Sequence, residues 1–498
     1  MLQRRDEAQR GEAAPVVGLT RFLFENARVC TGVPRRAEAT ALAVVGARIV
    51  AIGDRRTAAR AAGPRAERID CGGATILPGL IDPHLHLFAL AARHAHLDCA
   101  EAADVDALLA AVAVRAHGLP PGAWLRAEGA DDARLGRLPT ADELERAAPA
   151  NPVRLRHRSR HASILSASGL ARLHAGVSHV DGLVAGREDV VGAAVGPLDG
   201  GEIVEGLGRT SRELATLGIT TLADATPRRF AALAPVVRAM RAGAFRQRLF
   251  AMRPWNAPRW RGRGLLQPGP VKILVEETPA GLDPSPAELA RRIRGAAARG
   301  AQVAVHCVGA ATLVAALDAF AALPASQRRG RRHRLEHLAE CPPPFVARVA
   351  ALGLVVVTNP GFVYWRGDVY RRETDGAARA WLYRARSLVA AGVPVAAASD
   401  APVIGPDPWL GMAAARTRRT RDGATLGAGE RVDAATALAF ATTNAAASLR
   451  ADRLGRLVPG APADLIVVTP DPVDASAAAV RRTTVRLTMI DGRIAWRA

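Results

Sequence analysis

Short apolar runs alternate along the chain with alanine-rich stretches long enough to be helices. Eight runs have the length and flanks of buried strands: Thr75–Asp82, Ile219–Asp224, Arg248–Met252, Val271–Glu276, Gln302–His306, Arg334–His337, Gly353–Thr358 and Val393–Asp400. The segments between them include Pro286–Arg299, Ala310–Leu323 and Pro343–Ala351, each of helical length. Such alternation predicts an α/β fold, a parallel (β/α)8 TIM-like barrel over residues 75–454. The first and second strands are too far apart for one crossover. Residues 88–217 are therefore expected to form an inserted subdomain or lid, with strands at Trp124–Glu128 and Val153–His157.

The two ends of the chain carry a different pattern. Phe22–Val29, Ala41–Val45 and Arg48–Ile52 read as strands, as do Ala463–Val468, Val485–Ile490 and Arg493–Trp496. Asp491-Gly492 is a strong hairpin turn between the last two. Together, residues 17–74 and 455–498 predict one small β-sandwich domain built from both termini. Residues 1–16 have no apolar core segment and are expected to be a disordered leader.

Candidate chemistry begins at the first barrel run, which ends in His84-Leu-His86. Residues i and i+2 share a face of an extended strand, so both imidazoles can aim at one point. A second pair, His94-Ala-His96, follows an alanine-rich stretch read as helical. On a helix its members would point about 200° apart and could not chelate one ion. His306, His337 and Asp400 end the fifth, sixth and eighth predicted strands, and Lys272 lies in the fourth. Barrel enzymes carry their catalytic groups at the C-terminal ends of the strands. His84, His86, Lys272, His306, His337 and Asp400 are thus expected to converge on one mouth. That nitrogen and oxygen set suits a divalent metal, Zn2+ foremost, with Fe, Mn or Ni as variants.

Composition adds two points. The formal charge is +20, with 67 basic side chains, yet they are spread along the whole chain without a basic tail or aromatic-basic stripe. This argues against nucleic acid as a partner; an Arg-rich nucleic-acid-binding protein on an inactive barrel is the alternative of another class. The same arginine bias leaves Lys272 as the only lysine. A position that keeps an amine where every other cation is guanidinium needs a group that can lose its proton. The five cysteines are odd in number and show no CxxC pairing, which predicts no disulfide framework and a reducing, cytoplasmic setting. The chain shows no apolar run of membrane-spanning length, so no membrane partner is expected.

Leu77-Pro-Gly-Leu-Ile-Asp-Pro-His-Leu-His86 resembles the first-strand signature of the amidohydrolase superfamily, metal-dependent hydrolases on a (β/α)8 barrel. Val271-Lys-Ile, Val305-His-Cys-Val-Gly, Arg334-Leu-Glu-His, Asn359-Pro-Gly-Phe-Val-Tyr-Trp-Arg-Gly-Asp368 and Ser399-Asp-Ala-Pro-Val narrow the likeness to the amidohydrolase type 3 branch. That branch includes N-substituted formamide deformylases. The resemblance implies a carboxylated Lys272 bridging two metals, with His84, His86 and Asp400 on one and His306 and His337 on the other. A single-ion site is the variant. It implies hydrolysis of a non-peptide C–N bond by metal-activated hydroxide, with Asp400 as general base and acid. It also implies substrate contacts from His161 and, in a loop after the seventh strand, from Asn359, Tyr364, Trp365 and Asp368. A small-molecule amide is the expected partner, a homodimer the expected assembly, and a deaminase or cyclic amidase the alternative within the superfamily. Three departures stand out: Glu276-Glu277-Thr278 replaces the usual Asp-Gly-Ser, Ala310 replaces an aspartate, and Asn359 replaces a glutamine.

Overall fold

The computed structural model describes residues 19–32, 39–159, 161–174 and 176–498. The leader expected over residues 1–16 lies outside them. Eight parallel strands form one sheet in sequential order: Leu80–Leu85, Ile219–Asp224, Arg248–Arg253, Leu266–Ile273, Val303–Cys307, Arg334–His337, Val355–Thr358 and Val395–Ala397. At the ends of its first and last strands the chain is joined by two backbone hydrogen bonds. The Asp400 amide donates to the His84 carbonyl at 2.9 Å and the His86 amide to the Ala401 carbonyl at 2.8 Å. The nearly closed barrel is therefore completed at the residues predicted to hold the metal.

Period-2 alternation sorts the side chains. Val271, Ile273, Val303, Val305, Cys307 and Leu335 point outward into the layer packed by helices Pro286–Ala298, Ala310–Ala321 and Pro343–Ala351. Their neighbours Lys272, Ala304, His306, Arg334 and Glu336 take the opposite parity. Ala223, Ala304, Ala396 and Ala398 belong to a separate cluster with Ile81, Phe250 and Val357, closed by Ala445 and Ala446 of helix Thr443–Ser448. No helix joins the third strand to the fourth; residues 254–265 cross without one.

Two predicted runs divide. Thr75–Asp82 is not one strand: Thr75–Pro78 pairs with Leu465–Thr469, and the barrel strand begins at Leu80. Gly79 makes the junction because a β-carbon there would lie 2.3 Å from the Thr220 side chain. Phe22–Val29 also splits, at Asn26 with φ 52°, into Arg21–Glu25 and Arg28–Val29 of different sheets. The resulting four-stranded sheet holds Arg21–Glu25, Ala41–Val45, Arg48–Gly53 and Glu67–Asp70. A five-stranded sheet takes Arg28–Val29, Thr75–Pro78, Leu465–Thr469, Thr484–Ile490 and Arg493–Arg497. Phe24, Val44 and Ile49 of the first share an apolar cluster with Ile76, Leu465 and Met489 of the second.

Between the first two barrel strands a five-stranded sheet includes Leu125–Ala130 and Val153–His157 and has its own apolar cluster around Leu108, Leu144 and Leu155. The fourth barrel strand runs earlier than its predicted Val271–Glu276, because Glu276–Thr278 turns away into a hairpin with Gly281–Asp283.

Candidate metal centre

His84 and His86 leave the first strand on one side, as their spacing requires. Each is oriented through its Nδ1 atom. His84 Nδ1 rests against Glu336, and His86 Nδ1 lies 2.8 Å from the Thr226 hydroxyl, just past the second strand. Glu336 is itself gripped by Arg334, whose Nε and Nη2 donate to its two oxygens at 2.7 Å each. Arg334 Nη2 also donates to the Pro83 carbonyl at 2.9 Å, tying the sixth strand to the first beneath the histidines.

His337 reaches the same point by a different route. Its register partner is Cys307, which faces the outer layer, so continued alternation would send the ring outward. A φ of 68° at His337 breaks the alternation. The ring centroid then lies 4.7 Å from those of both His84 and His306. Its Nδ1 is 2.8 Å from Asn359 Oδ1, and Asn359 Nδ2 donates to the Ala398 carbonyl at 3.0 Å. Asp400, also left-handed at φ 62°, places Oδ1 3.4 Å from His84 Nε2 and 3.3 Å from His86 Nε2. Behind it the Asp82 carboxylate accepts from the amides of His84 and Ser399 at 3.2 and 3.3 Å.

Electrostatics follow from burial. Desolvation is the largest influence on the imidazoles, lowering His84 to about 4 and His306 and His337 to about 3. All three are neutral at pH 7, the form that binds metal. Burial also lowers the Lys272 ammonium to about 8, against the pull of Glu336 and Asp400. Asp400 falls to about 2: burial, the largest influence, acts upward but is outweighed by the imidazoles of His86, His84 and His337 around it.

These atoms fit a cation. With the Glu336 carboxylate against Nδ1, His84 carries its proton there and turns a lone pair from Nε2 toward Asp400. His84 Nε2 and Asp400 Oδ1 are both buried without a hydrogen-bond partner. Two facing electron-pair donors repel unless a positive centre sits between them. His84, His337 and Asp400 offer ligand atoms within 4.8 Å of one another. His306 adjoins them through His337, and the inward-facing Lys272 feels the charges of both Glu336 and Asp400.

Of the residues expected to touch substrate, Asn359 is brought to the cluster and the others lie away from it in the described contacts. Asn359 lies at the centre through its 2.8 Å contact with His337 Nδ1. The segment expected as a loop is a helix, Pro360–Glu373. On it Tyr364 receives a hydrogen bond from Arg481 at 3.1 Å, Trp365 is 41% exposed under Arg421, and Asp368 accepts from the Asp422 amide at 3.1 Å. His161 is exposed on the turn before Ala162–Leu165, without a link to the histidines among the described hydrogen bonds and ring contacts. The pair His94 and His96 divides between Glu213 and Glu128, at 3.6 and 3.4 Å. Where the resembled pattern has an aspartate, the Ala310 amide donates to Glu340 at 3.3 Å and the Thr312 amide to Glu277 at 3.4 Å. Arg334 and Glu336 carry no role in the sequence-based expectations, although their i, i+2 spacing ahead of His337 puts both inside the barrel.

A parallel barrel with a buried histidine and carboxylate cluster at its C-terminal mouth defines the metal-dependent hydrolase class. Residues 67–495 match the model of the Amidohydrolase family. The chain belongs to that family. It is 29% identical to an N-substituted formamide deformylase of Arthrobacter pascens, over 95% of this chain and 97% of that protein. Its fold matches a metal-dependent hydrolase from Pyrococcus horikoshii with a TM-score of 0.79 at 22% identity, covering 92% of this chain and 99% of that one. A second such hydrolase, from Pyrococcus furiosus, matches with a TM-score of 0.77 at 23% identity, covering 91% and 100%. No helix among the described residues is long and apolar enough to cross a membrane.

Proposed function

We propose that the protein hydrolyses a non-peptide carbon–nitrogen bond, that of an N-formyl or other N-acyl amide. The observation that carries this is the buried pair His84 Nε2 and Asp400 Oδ1, unpartnered and facing each other beside His86, His306, His337 and Lys272. The relative acting on N-substituted formamides, alignable over nearly its whole length, supports the bond type.

In this reading His84, His86 and Asp400 would hold one divalent ion, Zn2+ by donor chemistry, and His306 and His337 a second, with a carboxylated Lys272 as a further ligand. When bound, such ions polarise a carbonyl and lower the pKa of water to about 7. Asp400 accepts the proton of the attacking water and returns it to the amine nitrogen as the C–N bond breaks. Its low pKa keeps it an anion across the neutral range. Burial makes Lys272 reactive toward CO2: with a pKa of about 8, about a tenth of it is neutral at pH 7. The two terminal sheets are read as one small sandwich supporting the barrel, and residues 88–217 as an inserted unit beside the mouth. The compartment is read as the reducing cytoplasm.

The test is metal analysis joined to hydrolysis of a panel of N-substituted formamides and acetamides by wild type and Lys272→Ala. Wild type is expected to carry metal and cleave amides, and the variant to lose metal and about 100-fold or more of the activity. A metal-replete wild type inert toward every amide would sink the reading. A variant that keeps both metal and activity would remove the bridging lysine.

A further inference from the structure

Chain segments that follow the sixth, seventh and eighth barrel strands meet beside the histidines in one apolar cluster. It includes Ala339, two residues past His337, Phe362, three past Asn359, and Ile404, four past Asp400, with Leu382, Tyr383 and Leu426. At its centre the hydroxyls of Tyr383 and Tyr370 are 3.1 Å apart. The Tyr383 ring centroid lies 6.0 Å from that of Phe362 and 5.9 Å from that of Tyr370.

Backbone geometry fixes where Tyr383 stands. Its amide donates to the Ala339 carbonyl at 2.8 Å, binding it to the segment that leaves His337. Its carbonyl and that of Leu382 accept from Arg418 Nη1 and Nη2, both at 2.9 Å, while Arg418 Nε donates to the Leu426 carbonyl at 2.9 Å. Arg418 is 1% exposed and makes no direct ion pair among the described residues. A guanidinium is costly to bury on neutral acceptors, so stability alone does not account for it. What it secures is the left-handed turn at Tyr383, φ 48°. Burial, then Tyr370 and the charge of Asp400, raise the Tyr383 pKa, so the phenol stays protonated.

We infer that Tyr383 is the specificity-determining residue of this site, selecting a flat apolar group on the amide nitrogen, and that Arg418 is the positioning residue that holds it there. The inference rests on the N-formyl reading above. A formyl group carries only hydrogen on its acyl side, so a cluster built from the segments after the sixth, seventh and eighth strands would meet only the nitrogen substituent. Aromatic faces favour a flat group over a small alkyl one.

The experiment uses the full chain loaded with zinc and titrated calorimetrically with N-phenyl-N-hydroxyformamide and N-methyl-N-hydroxyformamide, chelating analogues of the substrate. Wild type is expected to bind the phenyl compound about tenfold or more tighter than the methyl one. Tyr383→Ala is expected to abolish that preference while binding the methyl compound within about twofold of wild type, and Tyr383→Phe to keep it. Arg418→Met is expected to lose the preference as Tyr383→Ala does; should it not fold, Arg418→Lys is expected to give an intermediate ratio. A folded, zinc-replete Tyr383→Ala with the wild-type ratio overturns the inference and leaves the formamide reading standing. A zinc-replete wild type that binds neither compound overturns the formamide reading and this inference with it.

Discussion

The carboxylate of Glu336 lies against Nδ1 of His84, inside the barrel and out of reach of solvent. This contact fixes the imidazole tautomer and aims Nε2 at Asp400, so in the proposed centre His84 would depend on a carboxylate outside the ligand set. Glu336→Gln is expected to weaken metal binding by about 10- to 100-fold. The same change leaves Arg334 without its counter-charge, at a cost of about 3–5 kcal/mol. Chelator competition and thermal unfolding read the two effects separately. Unchanged metal affinity in a folded variant would show that Glu336 does not orient the ligand.

Asp400→Asn replaces the proposed proton acceptor with a side chain of the same shape. Asparagine tolerates the left-handed backbone that Asp400 adopts at φ 62°, and the amide bond to the His84 carbonyl is kept. The fold is expected to survive while the rate falls by about 100-fold or more. Circular dichroism alongside amide turnover checks both. Wild-type turnover would remove Asp400 from the proton path.

The metal-free protein is expected to lose stability steeply in weak acid. Unfolded histidine has a pKa of about 6.5, while His84 folds to about 4 and His306 and His337 to about 3. Between about pH 6.5 and 4 the unfolded chain therefore binds more protons, and stability rises with pH there. Falling pH removes up to about 1.4 kcal/mol per unit per histidine. Urea midpoints across that window measure it, and a level profile would mean that the three rings are not buried as neutral ligands.

Gly79→Ala is expected to destabilise the protein by about 1–3 kcal/mol, since the new methyl would meet Thr220 at 2.3 Å where the chain passes from one sheet to the next. Denaturant unfolding gives the value. A neutral substitution would show that the junction has room to relax.

By itself the sequence determined the parallel barrel and most of the candidate metal centre. Apolar runs of strand length, and the i, i+2 spacing of His84 and His86, are local patterns that backbone geometry converts directly into faces. It did not determine that His337 turns inward. Parity points that ring outward with Cys307, and only a left-handed residue, held by Asn359 and the neighbouring loops, reverses it. Nor could it show that Pro360–Glu373 is a helix turned toward Arg421 and Arg481, or that Tyr383 joins Ala339, Phe362 and Ile404 in one apolar cluster. Those placements rest on contacts between residues distant in the chain, such as Arg418 with Leu382 and Tyr383. No local periodicity encodes such contacts; the closed barrel creates them by bringing the loops of different strands to one rim.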